Sequence, residues 1–179
     1  MRILPFTAIA ACFAMLLPHG ALNAQDAAID CAFDAISKED RFELVRKLED
    51  GSLGTIAPGG DAEARLIDSV DECADGFEWE GEKRYAFFEY SLSRNLADAL
   101  RANLLEIGFP IAKLERAWDV EWPQGAPDPM TLSDERMAEL QKLLIEQGSP
   151  ADSLPIVRTL TSYLQVHRSG AAAYRTIIQ

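Results

Sequence analysis

Apolar residues recur at steps of three and four along most of the chain, which is the spacing of one buried face of an α-helix. No run of four to eight residues alternates apolar and polar positions between turn signals, so no strand is predicted. The pattern therefore predicts an all-α fold, a single-domain irregular bundle of about six to seven helices. The predicted helices are 27–36, 39–50, 62–74, 82–107, a short helix that starts at Pro110, a helix from about 131 to 147, and 153–178.

Residues that favour helix ends separate these segments. Gly51 and Gly108 each follow an apolar-periodic run, and glycine adopts a positive φ at a helix end without steric cost. Asp61 is suited to cap the N-terminus of the helix that starts at residue 62. Thr131 and Asp134 together resemble a capping box for the helix that ends near residue 147.

The two longest predicted helices carry the most extended apolar seams. In the last helix, Ser169 and Gly170 mark a predicted weak point, because glycine lowers helix stability. The seam of 82–107 is predicted to comprise Tyr85, Phe88, Leu92, Leu96, Leu100, Leu104 and Ile107, and that of 153–178 to comprise Val157, Leu160, Leu164, His167, Ala171, Tyr174 and Ile178.

A faint similarity relates two segments 40 residues apart. One interpretation is a repeated helical hairpin with a concave binding face. The other, which we favour, is that two helices each end at a glycine before a proline-started helix, a common arrangement. The matching residues are Leu104, Glu106, Gly108, Pro110 and Leu114 in one segment, and Leu144, Glu146, Gly148, Pro150 and Leu154 in the other.

The first 24 residues resemble a secretory signal peptide. Arg2 precedes an apolar run over residues 3–17, which is too short to span a bilayer, and small residues follow it. We expect cleavage near Ala24, a mature domain of residues 25–179 without a membrane span, and a periplasmic or secreted location. Lipid attachment at Cys12 is disfavoured because the apolar run continues beyond it.

The charge of the chain narrows the range of partners. It has 17 basic and 29 acidic residues, a formal net charge of −12, and loss of the leader with its one arginine would make this −13. Affinity for nucleic acid comes mostly from Lys and Arg, so no nucleic-acid partner is expected, and anionic membrane surfaces are disfavoured for the same reason. An envelope protein or a small ligand is the expected partner.

Cys31 and Cys73 are the two cysteines of the predicted mature chain. Two thiols in an oxidising compartment usually pair, and a bridge requires their Cα atoms to lie within about 4.4–6.8 Å, so the first and third helices should be neighbours. The bridge would close a loop of about 43 residues and contribute up to about 4 kcal/mol. A reactive thiol is disfavoured, because no C-x-x-C spacing or nearby histidine occurs and the aspartates beside Cys31 raise a thiol pKa.

Two segments combine carboxylates with aromatic residues. FEWEGEKR places Glu78 and Glu80 on either side of Trp79, and WDVEW places Asp119 and Glu121 between two tryptophans. Glycosidase clefts use paired carboxylates against apolar walls, so these four acids are candidate catalytic residues of a polysaccharide hydrolase. The signal is weak, because residues two apart do not converge on one point.

Other candidate chemistry is sparse. His167 lies on an apolar stripe and is predicted to be a buried structural residue, and no G-x-S-x-G nucleophile motif occurs. The acidic faces lack a calcium-loop pattern, so no metal or cofactor is predicted.

The sequence therefore predicts an exported acidic helical protein of the bacterial envelope, a binding or interaction module rather than an enzyme. The alternatives are a small envelope polysaccharide hydrolase that uses the paired carboxylates, and a structural or cation-buffering protein.

Overall fold

The computed structural model describes residues 29–54, 61–149 and 153–179, and these ranges confirm the predicted all-α domain. The predicted leader and its cleavage site lie outside the described residues. No helix within the described ranges is both long and apolar enough to cross a membrane. The helices are α1 (29–34), α2 (Lys38–Asp50), α3 (Ala62–Gly76), α4 (Gly81–Glu106), α5 (Ile111–Trp118), α6 (Asp134–Glu146) and α7 (Leu154–Ile178).

Local capping chemistry sets the helix starts. Asp61 accepts hydrogen bonds from two backbone N–H groups in the first turn of α3, as predicted. The predicted capping box of Thr131 and Asp134 is wrong. Ser133 caps α6 instead, accepting from the N–H of Arg136, because the helix begins at Asp134 and Thr131 lies two residues before that cap.

Helix α4 is the centre of the domain and packs most extensively against α7, with further contacts to α2, α3 and α5. The predicted seam of α4 is wrong at both ends, since Tyr85 is 63% exposed and Ile107 is 50% exposed. Helices surround α4 on several sides, so its buried positions extend beyond one stripe and include small and polar residues. The buried residues are Ala86, Phe87, Tyr90, Ser91, Ser93, Asn95, Leu96, Ala97, Ala99, Leu100 and Leu104.

Helix α7 runs without interruption through the predicted weak point at Ser169 and Gly170. A Cβ atom on Gly170 would lie 2.2 Å from Cη2 of Trp122, so the absence of a side chain makes room for the tryptophan ring. The predicted stripe is buried at its centre, whereas Ile178 at its end is 49% exposed.

The 40-residue similarity corresponds to two helix ends of the same geometry. Gly108 after α4 has a φ of 78° and Gly148 after α6 has a φ of 79°. In each turn the glycine N–H bonds the carbonyl three residues earlier, and the next N–H bonds the carbonyl five residues earlier. The helices that precede these turns contain 26 and 13 residues, so the similarity reflects a shared helix stop rather than a repeated hairpin.

The predicted disulfide joins Cys31 in α1 to Cys73 in α3, with the two Cα atoms 6.1 Å apart. Helices α1 and α3 are therefore neighbours, as the cysteine pairing required. On α1 and the turn after it, Ile29, Ala32 and Ile36 are buried in the common core. Phe33 lies on another side of α1 and reaches the cavity described next.

Candidate functional site

A cavity of about 390 Å³ lies between α4, α5, the turn after α5, and α7. Four of its residues, Arg94, Ala97, Asp98 and Arg101, come from α4. Their spacing of three, four and seven residues places them on one face of that helix. The volume falls within the range of about 300–1,000 Å³ that is typical of small-molecule pockets.

Glu115 connects the three helices that enclose the cavity. From α4, Arg101 donates from Nε and Nη2 to the two carboxylate oxygens of Glu115, at 2.8 and 3.1 Å. From α7, the Tyr163 hydroxyl donates to Oε1 of Glu115 at 2.5 Å. The Glu115 side chain is 15% exposed, so these contacts form one rigid polar cluster at the cavity wall.

The same contacts determine how this cluster ionises. Burial raises the pKa of Glu115, but its hydrogen bonds to Arg101 and Tyr163 outweigh burial and hold that pKa below its usual value. Burial, followed by the hydrogen bond to Glu115, raises the pKa of Tyr163 far above its usual value. At neutral pH the carboxylate is therefore ionised and the phenol is protonated.

His167 on α7 is the most distinctive residue of the cavity. It is 5% exposed, and its ring lies 4.5 Å from that of Tyr163 and 5.0 Å from that of Trp122, centroid to centroid. Burial lowers the pKa of His167 to about 4, with Glu115 opposing the shift and Arg101 adding to it. The imidazole is consequently neutral at physiological pH, with one nitrogen that donates and one that accepts.

The Nδ1 atom of His167 is buried and has no hydrogen-bond partner among the described residues. An unpaired buried polar atom of this kind costs about 1–3 kcal/mol. His167 also lines the cavity, so its ring borders that space while the Nδ1 atom itself is enclosed by protein. Sequence reasoning treated this histidine as structural, and its burial agrees with that view, but its unused nitrogen does not follow from the stripe pattern.

Trp122 forms another wall of the cavity. Its indole Nε1 donates to the hydroxyl of Tyr90 at 2.6 Å, and its ring packs over Gly170. The turn that carries it is closed by paired backbone hydrogen bonds between Glu121 and Gly125, at 2.9 and 3.2 Å. These contacts fix the turn against α7.

Phe33 completes the wall from the side of α1. The guanidinium of Arg41 lies 3.8 Å from the ring centroid, and that of Arg94 lies 4.1 Å from it. Both arginines are also paired, Arg41 with Asp98 at 2.9 Å and Arg94 with Asp30 at 2.8 Å. The disulfide two residues before Phe33 and these cation–π contacts hold the ring in place.

The structure separates the four carboxylates proposed for hydrolysis into two groups. Glu121 lines the cavity and Asp119 lines an adjoining groove, whereas Glu78 and Glu80 are exposed in the turn before α4. Neither Glu78 nor Glu80 lines the cavity or the groove that contain Glu121 and Asp119.

The sequence did not reveal the cluster of Arg101, Glu115 and Tyr163. These residues lie 14 and 48 positions apart on three helices, so only their packing brings them together.

Within the described ranges, no group of three or more His, Cys, Asp or Glu residues is arranged to hold a metal ion. The chain matches no known protein-family model, no curated protein sequence and no solved structure. The function must be argued from the cavity itself.

Proposed function

We propose that this protein is an exported binding module of the bacterial envelope that holds a small ligand in the cavity beside His167. The cavity carries the proposal, because it is of ligand size and the side chains of Glu115, Tyr163 and His167 that line it are held in place by their contacts. A protein-sized partner is less suitable than a small molecule, since the candidate groups lie within a cleft between helices.

The polar groups of the cavity support binding rather than catalysis. Glu115 is occupied by Arg101 and Tyr163, and His167 contacts two aromatic rings instead of a serine or cysteine nucleophile. Groups held in this way present fixed hydrogen-bonding positions to a ligand.

Export is supported by two independent features of the sequence. The first 24 residues have the charge, apolar run and small residues of a signal peptide. The bridge between Cys31 and Cys73 is of the kind that persists in oxidising compartments such as the periplasm.

Thermal unfolding with small fragments tests the binding proposal. Four classes should be compared: neutral sugars and polyols, monocarboxylates, primary amines, and aromatic alcohols. A ligand at ten times its Kd stabilises the folded state by about 1.4 kcal/mol. For a domain of this size we expect at least one class to raise the Tm by about 3–6 °C.

Matched variants show whether the increase in Tm arises from binding in the cavity. Ala97→Leu places a larger side chain in the cavity and should abolish the increase in Tm, as should His167→Phe, which keeps a ring but removes both nitrogens. Ala138→Leu makes the same change at an exposed position on α6 and should retain the increase. Circular dichroism confirms that each variant is folded. The proposal fails if no class raises the Tm, or if folded Ala97→Leu and His167→Phe proteins respond like the wild type.

A further inference from the structure

We infer that the cavity binds a small cation, a primary ammonium group attached to an apolar body. This inference rests on the proposed binding function and specifies the ligand of the same cavity. Three observations lead to it: one carboxylate of the cavity has no ion pair, the other charges are paired within the protein, and the residues on either side of that carboxylate present apolar surface.

Glu121 is the unpaired carboxylate. It lines the cavity, and it forms none of the ion pairs found within the described part of the chain. The residue is exposed, so a ligand that enters the cavity from solvent can reach it. The adjoining groove also contains Glu121, and it adds one charge of each sign, Arg116 and Asp119, so it leaves the charge of Glu121 uncompensated.

The other four charged residues of the cavity are each paired. Arg101 holds Glu115 in bidentate fashion, whereas Arg94 and Asp98 are paired with residues of α1 and α2, at 2.8 and 2.9 Å. The lining contains two arginines and three acids, so one negative charge remains after pairing. An anion would compete with these pairs and be repelled by Glu121, whereas a cation gains an ion pair without breaking one.

The neighbours of Glu121 in the chain supply the apolar surface. Val120 and Trp122 both line the cavity. The ring of Phe33 already contacts two guanidinium groups, but no Lys or Arg side chain in the described ranges lies over the ring of Trp122. An aromatic ring attracts a cation and also offers carbon surface to the apolar part of a ligand.

The size of the cavity limits the ligand further. A volume of about 390 Å³ is near the lower end for ligand pockets, which suits one ring or a short chain. A single unpaired carboxylate suits a ligand with one positive charge rather than a polyamine.

Three probes of matched shape test this inference: benzylamine, benzyl alcohol and benzoate share a ring and differ in charge. We propose NMR titrations of the full mature chain at pH 7, following the indole N–H of Trp122. We expect benzylamine to bind about 3–10-fold more tightly than benzyl alcohol, and benzoate to bind most weakly. Raising NaCl from about 20 to about 500 mM should remove most of the benzylamine preference, because salt screens interactions between charges, and should leave the Kd of benzyl alcohol unchanged within about two-fold.

Two charge variants show whether Glu121 is the cause of the preference. Glu121→Gln removes the charge and keeps the size of the side chain, so the Kd of benzylamine should come within about two-fold of that of benzyl alcohol. Glu135→Gln removes the same charge at an exposed position on α6 and should retain the preference. The comparison separates the effect of Glu121 from that of the net charge of −12 on the whole chain.

The outcomes separate this inference from the binding proposal. If the three probes bind equally, or benzoate binds best, and this binding is lost in Ala97→Leu, the ligand site is supported but the cationic-ligand inference is overturned. A benzylamine preference that persists in Glu121→Gln, or that Glu135→Gln abolishes to the same extent, also overturns it. If none of the three probes binds, the inference fails, whereas the proposed function fails only if the four fragment classes also leave the Tm unchanged.

Discussion

Replacement of Gly170 by alanine should destabilise the protein, although alanine is normally the better residue inside a helix. In an unhindered helix the change would contribute about 1 kcal/mol of stability. Here the added Cβ would lie 2.2 Å from Cη2 and 2.9 Å from Cζ3 of Trp122, and 3.1 Å from Cβ of Ser93. The closest of these distances is more than 1 Å below an ordinary carbon–carbon contact of about 3.5 Å.

Trp122 cannot easily move to relieve this clash. Its Nε1–H is bonded to the hydroxyl of Tyr90, and its ring lies against His167. Overpacking typically costs about 1–3 kcal/mol, and loss of the indole hydrogen bond would add about 1 kcal/mol. After the helix gain of about 1 kcal/mol is subtracted, we expect a net loss of about 2 kcal/mol, or roughly 4–8 °C in Tm.

Gly76→Ala is the matched control for this prediction. Gly76 is the last residue of α3, and an added Cβ would meet no atom within 4 Å. This variant should be unchanged or slightly more stable. Chemical unfolding followed by circular dichroism gives both free energies, and tryptophan fluorescence reports displacement of Trp122. If Gly170→Ala proves as stable as Gly76→Ala, with unchanged fluorescence, the packing described for Trp122 is incorrect.

Three further predictions concern the disulfide, the histidine and the leader. Replacement of Cys31 and Cys73 by serine should lower the free energy of unfolding by about 2–4 kcal/mol, and two free thiols in the exported wild-type protein would contradict the bridge. The pKa of His167 falls from 6.5 to about 4 on folding, so the unfolded state binds more protons between these values and stability is lost as pH falls. From pH 6.5 to pH 4 the wild type should lose about 2–3 kcal/mol more than His167→Phe, and parallel pH profiles would refute this. The mass of the exported protein should match residues 25–179, whereas an intact leader in that fraction would contradict cleavage near Ala24.

The approximate positions of the helices and one tertiary contact could be predicted from the sequence. Three- and four-residue periodicity and helix caps located the helices, because both are local properties. The bridge between Cys31 and Cys73 correctly placed α1 beside α3, because a disulfide imposes a short Cα distance. Hydrophobic periodicity predicted the buried positions of α4 incorrectly. Helices that pack on several sides of α4 bury Phe87 and Tyr90, whereas Tyr85 is exposed.

The site was largely inaccessible to sequence reasoning. Its polar cluster depends on how α4, α5 and α7 are rotated relative to each other, and hydrophobic periodicity does not specify which polar residues then meet. Of the tryptophan-rich segment at 118–122, Glu121 and Trp122 line the cavity, whereas Trp118 is buried in the core. Gly170 was interpreted from helix propensity alone, whereas its role depends on a ring that lies 48 residues earlier in the chain.

Nitrogen NMR of the His167 ring tests the central claim most directly, because this ring borders the cavity in which the ligand is proposed to bind. At pH 7 we predict the two distinct nitrogen shifts of a neutral imidazole. Saturation with a fragment that raises the Tm should move the ring nitrogen shifts, because the fragment then lies beside the ring. A charged imidazolium at pH 7, or ring nitrogen shifts that do not change at saturation, would contradict the assignment of this cavity as the binding site.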